Sequence, residues 1–291
     1  ALSEAMLAEL GAAFDAAGAD QAVRVVVLAA NGPAFCAGHD LKEMTAGRSA
    51  DDGGKAYFAK IMSMCAGVMQ GIVNCPKPVI AEVTGVATAA GCQLVASCDL
   101  AIASDAATFS TPGVHIGLFC STPMVALSRN VANKHAMEML LTGDMTSATR
   151  AAEIGLVNHA VAPDVLQDTT MELARKIASK SSMTLATGKR AFYAQRDMSL
   201  SDAYDYASRV MVENMLAQDA RGDGAGRALM EALIVEARAR GIAALIGGIS
   251  GENAGALAFH ARLGFREVGR VPGAGRKFGR EMDLVLVHRA L

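Results

Sequence analysis

The chain has 291 residues, 52% of them hydrophobic and 19% charged, with a net charge of −2 at neutral pH. That length and composition describe a globular chain of about two domains with enough apolar residues for a sizeable core. The charge balance argues against nucleic acid or an anionic membrane as the main partner, and 4% aromatic residues with no tryptophan argue against base-stacking platforms.

Residues 2–17 predict an amphipathic helix, with Leu2, Met6, Leu10 and Phe14 at near-helical spacing and Ser3 as its N-cap. Val23–Ala29 reads as a buried strand that feeds a turn at Phe35–Asp40, where Asp40 is placed to cap the next segment. Residues 43–53 are polar and Gly-rich and read as a loop. A helix over 55–73 carries the apolar stripe Phe58, Ile61, Met62, Cys65, Val68, Met69 and Ile72, a core face or the wall of an acyl pocket. Pro76 and Pro78 end it, and Val79–Val83 is the next strand, with Glu82 on its outward side.

Ala81–Asp99, AEVTGVATAAGCQLVASCD, is the stretch the rest is organised around. A strand runs into a small-residue turn at Ala87–Gly91 and then a helix over Cys92–Cys98, a form that leaves backbone N–H groups free at a helix N-terminus. Ala34–Lys42, AFCAGHDLK, has the same form. Two such turns brought together would aim two amides at one oxygen, an oxyanion hole.

Further along, helices are expected over 124–141, 147–154, 164–180, 182–196 and 200–217, with a short strand in 155–161 and Asp144 capping the helix near Ser147. His115 is a candidate base, against the plainer reading of a hydrogen-bonded structural histidine; Cys120 reads as an inert thiol. The six cysteines (36, 65, 75, 92, 98, 120) include no CxxC pair, so no metal site is expected and the thiols fit a reducing compartment. With no signal peptide and no apolar run of membrane-spanning length, a cytoplasmic location is expected.

The composition changes after Ala220. Residues 1–220 carry 16 basic and 22 acidic side chains, residues 221–291 carry 11 and 7, and 14 of the 16 methionines precede the seam. Two units are expected, 1–220 and 221–291. The tail opens with Arg221-Gly-Asp-Gly224-Ala-Gly226, then a helix (227–240), a strand (242–249), Asn253, the run Ala258–Phe265, and a strand over 283–288.

The runs Thr88–Asp99 and Thr111–Pro123 resemble those of the crotonase (enoyl-CoA hydratase/isomerase) superfamily, a likeness covering about residues 1–220. It implies an α/β fold, a crotonase-type ββα spiral core with C-terminal helices, here lacking the family's first strand hairpin. The resemblance puts the oxyanion amides on His39 and Ala90, CoA contacts on Ala37, Asp40, Leu41 and Lys42, and the two hydratase carboxylates on Gln93 and Gly113. Gln93 can orient a water but cannot take its proton, and Gly113 can do neither. The polarising half of a hydratase site is therefore expected, without the proton-transfer half. The resemblance also implies coenzyme A thioesters as substrate or ligand, no tightly bound cofactor, and a homo-trimer or dimer of trimers.

The tail resembles the second half of a GNAT N-acetyltransferase, a partial α/β unit. There Arg221, Gly224, Gly226 and Asn253 would bind CoA, and His260 stands where many members carry a tyrosine that protonates the departing thiolate. Three readings are open: an acyl-CoA protein of hydratase/isomerase type with weakened acid–base equipment, a non-catalytic acyl-CoA binder, and an acyltransferase using the tail's CoA loop.

Overall fold

The first six strands of the first unit alternate between two sheets. Val26–Leu28 (β1), Val79–Val83 (β3), Leu100–Ser104 (β5) and His159–Val161 (β8) form one parallel sheet in the order β1-β3-β5-β8. Ala34–Cys36 (β2), Val86–Thr88 (β4), Thr108–Ser110 (β6) and Thr146–Ser147 (β7) form the other, in the order β2-β4-β6-β7, with only the last pair antiparallel. A helix or turn comes after each second strand: Leu41–Gly47 (α2) after β2, Ala90–Ser97 (α4) after β4, and a 3-10 turn, Pro112–Ile116, after β6. The chain thus advances as a spiral of ββα turns, each adding one strand to both sheets. The computed structural model describes residues 1–217, 225–277 and 279–291. By its contacts it divides into Ala1–Val210 and Met211–Leu291, so the division falls inside the helix Leu200–Leu216 and not at the composition change after Ala220.

The helices of the first unit depart from expectation where a cap or a turn decided the outcome. Glu4–Ala19 (α1) is capped by Ser3, whose Oγ accepts from the Met6 N–H, but its buried face is Leu7 and Phe14, and Met6 is exposed. The stretch expected as a loop from 43 begins inside α2, because Asp40 Oδ1 accepts from both the Lys42 and Glu43 N–H groups and starts a helix. The single helix expected over 124–141 is two, Ser121–Asn130 (α5) and Asn133–Thr142 (α6). Extended backbone at Val131 turns its side chain into the core between them. Ala148–Glu153 (α7) is capped by Ser147 and not by Asp144.

Lys55–Asn74 (α3) packs Ile61, Cys65, Val68, Met69 and Ile72 into the core with α1 and α4. It is long and apolar enough to cross a membrane, contrary to the expectation that no such run exists; its apolar face is used by the fold. Glu82 is buried and does not face outward, because β3 is a central strand covered on both sides. Val79, Ala81 and Val83 join the main core, and Ile80 packs with Ile102 against Leu166 and Ala174 of Leu166–Ala178 (α8).

Ser182–Gln195 (α9) is fastened to the sheets by one buried cluster that the sequence did not announce. Asp99 Oδ2 accepts from Lys189 Nζ at 2.7 Å and from the Val79 N–H at 2.7 Å, and Asp99 Oδ1 accepts from the Tyr193 hydroxyl at 2.9 Å. Lys189 Nζ also donates to the Ile72 and Lys77 carbonyls.

Five of the six cysteines are buried and all six are free. Burial pushes Cys65 up to about 11 and Cys92 up to about 12. Thiolates are the reactive form, so iodoacetamide on the native protein is expected to mark the half-buried Cys120 first; mass spectrometry showing Cys65 or Cys92 alkylated at the same rate would contradict this burial.

In the second unit, Ala225–Ala239 (α11), Ala244–Ser250 (β9), Ala254–Arg262 (α12), Arg266–Lys277 (β10) and Arg280–Ala290 (β11) succeed one another in order. The strands form an antiparallel sheet, β10-β11-β9, whose buried side holds Ile249, Val285 and Val287 against Ile234, Leu263 and Phe265.

Candidate active site

Strand register brings the two predicted turns together. β2 and β4 are parallel neighbours with Cys36 opposite Ala87, so His39 and Ala90 each stand three residues past a paired position. The approach is close enough to exclude side chains. A Cβ on Gly91 would lie 1.9 Å from the Cys36 carbonyl oxygen, and one on Gly38 would lie 3.1 Å from Ala89 Cβ and 3.3 Å from the Thr88 oxygen. Gly38 takes φ +94°, which favours glycine as well. The Thr88 hydroxyl ties the turns by donating to the Ala37 carbonyl.

Between β4 and α4 stands Ala89, at φ 50° and ψ −118°, the only non-glycine residue with positive φ among those described. Its N–H donates to Ser110 and its carbonyl accepts from Gln93. This conformation costs on the order of 1–3 kcal/mol, and it lets α4 begin at Ala90 with that residue's N–H unspent. Among the described residues nothing accepts a hydrogen bond from the Ala90 or the His39 N–H. Sequence reasoning placed Ala89 in the turn but found no sign of its strain; its methyl group is ordinary.

β6 lies on the other side of β4, Phe109 opposite Ala87, so the 3-10 turn holding Gly113 starts at the same edge as the two amide turns. Thr111 Oγ1 anchors it to the Met139 carbonyl. Gly113 is not an empty seat for a carboxylate. A Cβ there would stand 2.5 Å from the Leu118 oxygen and 2.9 Å from Cys120 Sγ, because the Leu118 N–H donates back to the Gly113 carbonyl and closes the loop on it. Gln93, one turn into α4, is 4% exposed, and its Oε1 has no hydrogen-bond partner. It lines a cleft of about 350 Å³ with residues of α3, α5 and α9. His115 is exposed, its Nε2 beside the Gly143 turn that ends α6. Another cavity of similar volume, near His135, Asp144 and Arg150, touches none of the predicted positions.

His39 has both ring nitrogens buried without a hydrogen-bond partner. Burial pushes it below the ordinary histidine range; the Leu2 backbone beside it offsets this only in part, as the contact falls short of a hydrogen bond. The ring is thus held neutral in the folded protein. Protonation favours the unfolded chain, whose histidines titrate near 6.5, so stability is full above that pH and is lost as pH falls below it. Urea midpoints are expected to drop between about pH 7.5 and about pH 5, and His39→Ala to flatten that drop; an equal drop in both proteins would show that His39 is not its source.

Of the predicted CoA contacts, Ala37, Leu41 and Lys42 are exposed at the mouth of the first turn, while Asp40 is engaged in capping α2. Arg221 and Gly224 lie outside the described residues. Gly226 is in the first turn of α11, and Asn253 accepts from the Ala256 N–H as the N-cap of α12, which ties its carbonyl oxygen to the helix. Asn253 also lines a cavity of about 570 Å³ with Ser250, Arg276 and Asp283.

The chain was compared with known proteins. The family model for enoyl-CoA hydratase/isomerase matches residues 1–230, and that for the acetyltransferase (GNAT) family matches residues 201–265. Enoyl-CoA hydratase domain-containing protein 3, mitochondrial, is 48% identical in both mouse and human over 219 residues, 75% of this chain and 71% of each relative. The crystal structure of the human protein of that name covers 79% of this chain and 88% of its own, at 46% identity and TM-score 0.74. An enoyl-CoA hydratase from Mycobacterium smegmatis covers the same shares at 50% identity and TM-score 0.75. The expectation of a cytoplasmic location is corrected by these relatives, which are named mitochondrial. Free buried thiols indicate only a reducing compartment and do not separate the cytosol from others. The first unit has the α/β crotonase fold, and the chain belongs to the enoyl-CoA hydratase/isomerase family.

Proposed function

We propose that the first unit binds acyl-CoA thioesters and holds the thioester carbonyl oxygen between the His39 and Ala90 N–H groups, with hydratase turnover weak or absent. The observation that supports this reading is the register of β2 and β4, which brings together the turns that carry His39 and Ala90, neither N–H having an acceptor among the described residues. Amides fixed in advance favour an oxygen that gains negative charge, and they need no reorganisation to do so. Ala37, Leu41 and Lys42 at the mouth suit the CoA portion, with the Lys42 ammonium available to phosphate. Gln93 positions a water without accepting its proton, and His115 is too exposed and too far along its loop to stand in. Exposed apolar residues on α9 and α10 (Leu200–Leu216), among them Phe192, Leu200 and Tyr204, support assembly as a homo-trimer or a pair of trimers. The second unit is read as a partial GNAT-like fragment without acetyltransferase activity. Turnover of acetyl-CoA on a panel of amines would overturn that.

The test pairs binding with turnover. Calorimetry is expected to show butyryl-CoA binding. Crotonyl-CoA, followed by loss of its enoyl absorbance, is expected to be hydrated slowly or not at all, and Gln93→Glu to raise the rate. Gly113→Glu is unsuitable as a rescue, since its Cβ would meet the Leu118 carbonyl. Rapid hydration by the unaltered chain would overturn the mechanistic part of the reading; failure to bind butyryl-CoA would overturn all of it.

A further inference from the structure

The cleft at Gln93 has a mixed lining, in which apolar side chains stand beside a set of hydrogen-bonding groups. α3, α4, α5 and α9 enclose about 350 Å³, and the apolar part of the lining is Met69, Val73, Ala96, Val125 and Ala126. The rest is polar: Gln93 and Ser97 from α4, Arg129 and Asn130 from α5, and Arg196 and Asp197 just past α9. Arg129 Nη1 donates to the Val125 carbonyl, and Arg196 donates to the Arg129 carbonyl and lies 5.8 Å from the Phe192 ring centre. Among the described residues no carboxylate pairs with either guanidinium, and Asp197 is exposed. Each guanidinium has five N–H donors, so most remain available.

Gln93 is the second observation. It is nine-tenths buried, it lines the cleft, and its carbonyl oxygen is unpartnered. A half-turn of the amide exchanges Oε1 and Nε2, so the same side chain can present a donor to whatever enters. Gln93 also lies three residues from Ala90 on α4, about 4.5 Å along a helix axis. Gln93 is the residue by which the cleft adjoins the start of α4, and there we place the acyl end of a thioester held at the Ala90 amide. A saturated chain there would leave the buried Gln93 carbonyl oxygen without a partner, at a cost of about 1–3 kcal/mol. A carboxylate would receive charge-assisted hydrogen bonds from arginine, the side chain best shaped for it. The neutral amide at 93 fits as well, because a glutamate there would repel an anionic acyl end.

Resting on the function proposed above, we infer that the cleft receives a carboxylate at the far end of the acyl group, so that this protein takes short dicarboxylic acyl-CoA thioesters in preference to plain aliphatic ones. By liquid volume the cleft of about 350 Å³ has room for about twelve waters, ~30 Å³ each, enough for a five-carbon diacid.

Calorimetry on the full chain with glutaryl-CoA, butyryl-CoA, CoA and free glutarate tests this. Glutaryl-CoA is expected to bind about tenfold tighter than butyryl-CoA, a difference of about 1.4 kcal/mol. Arg129→Met with Arg196→Met is expected to erase the preference while leaving butyryl-CoA affinity within about twofold. Asp197→Asn, a change at an exposed side chain with no need to refold anything, is expected to tighten glutaryl-CoA alone. Equal affinity for the two thioesters, or a preference untouched by all these variants, overturns the inference. Free glutarate binding as tightly as glutaryl-CoA would make the cleft an independent carboxylate site and also overturn it. If CoA and butyryl-CoA both fail to bind while free glutarate binds in an Arg129-dependent way, the function proposed above has failed and the recognition of a carboxylate by the cleft has not.

Discussion

Gly91→Ala is expected to cost the first unit about 3 kcal/mol or more and to abolish butyryl-CoA binding. The added methyl would stand 1.9 Å from the Cys36 carbonyl oxygen and 2.7 Å from its carbon. Those atoms are the backbone of β2, so no rotamer change relieves the clash, and overpacking of this kind starts at about 1–3 kcal/mol even where side chains can move. The only relief is to part β2 from β4, which also parts the His39 and Ala90 amides. Gly67→Ala is the control. It lies in α3 with nothing within 4 Å of the added methyl and should stabilise the helix by up to about 1 kcal/mol. Circular-dichroism melts of the two variants decide the matter; similar melting temperatures would mean that the close approach at Gly91 is not there.

Lys189→Met is expected to destabilise the first unit by about 3–5 kcal/mol, the usual cost of stripping one partner from a buried ion pair. The Lys189 side chain is 8% exposed and that of Asp99 16%, so water cannot replace the lost ammonium. Two backbone carbonyls, Ile72 and Lys77, lose their donor as well. At roughly 2–4 °C per kcal/mol for a unit of this size, the melting temperature should fall by about 10 °C or more. Adding Asp99→Asn should recover part of the loss, since it removes the stranded charge. A fall below about 1 kcal/mol in the single variant would show that the pair does not anchor α9.

Much of this architecture was readable from the chain. Pro76, Pro78 and the run Val79–Val83 marked β3 at its observed bounds, and the small residues of Ala87–Gly91 marked the turn into α4. These are local signals, set by residues next to each other. The Asp99–Lys189–Tyr193 cluster was invisible because its members lie about ninety residues apart and each looks ordinary in its own segment. Nothing local in the sequence reveals that both ring nitrogens of His39 are enclosed. Gly113 read as a missing carboxylate; what the sequence could not reveal is that Leu118 and Cys120 fold back and require a glycine there. The strain at Ala89 had no signal at all.

The amides at His39 and Ala90 are backbone groups, and the register of two strands sets their spacing. Ordinary substitution of either side chain leaves them in place. By the family resemblance, the groups that would move protons are carboxylate side chains whose positions Gln93 and Gly113 occupy, and a side chain can change without touching the strands. On the function proposed above, the two halves of the site can change separately. A lineage can shed turnover and keep recognition, or regain chemistry on a scaffold that never stopped binding. Damage to the amide pair, by contrast, must pass through Gly38, Gly91 or the strand pairing itself. Selection would register that damage as missing protein before it registered it as missing activity.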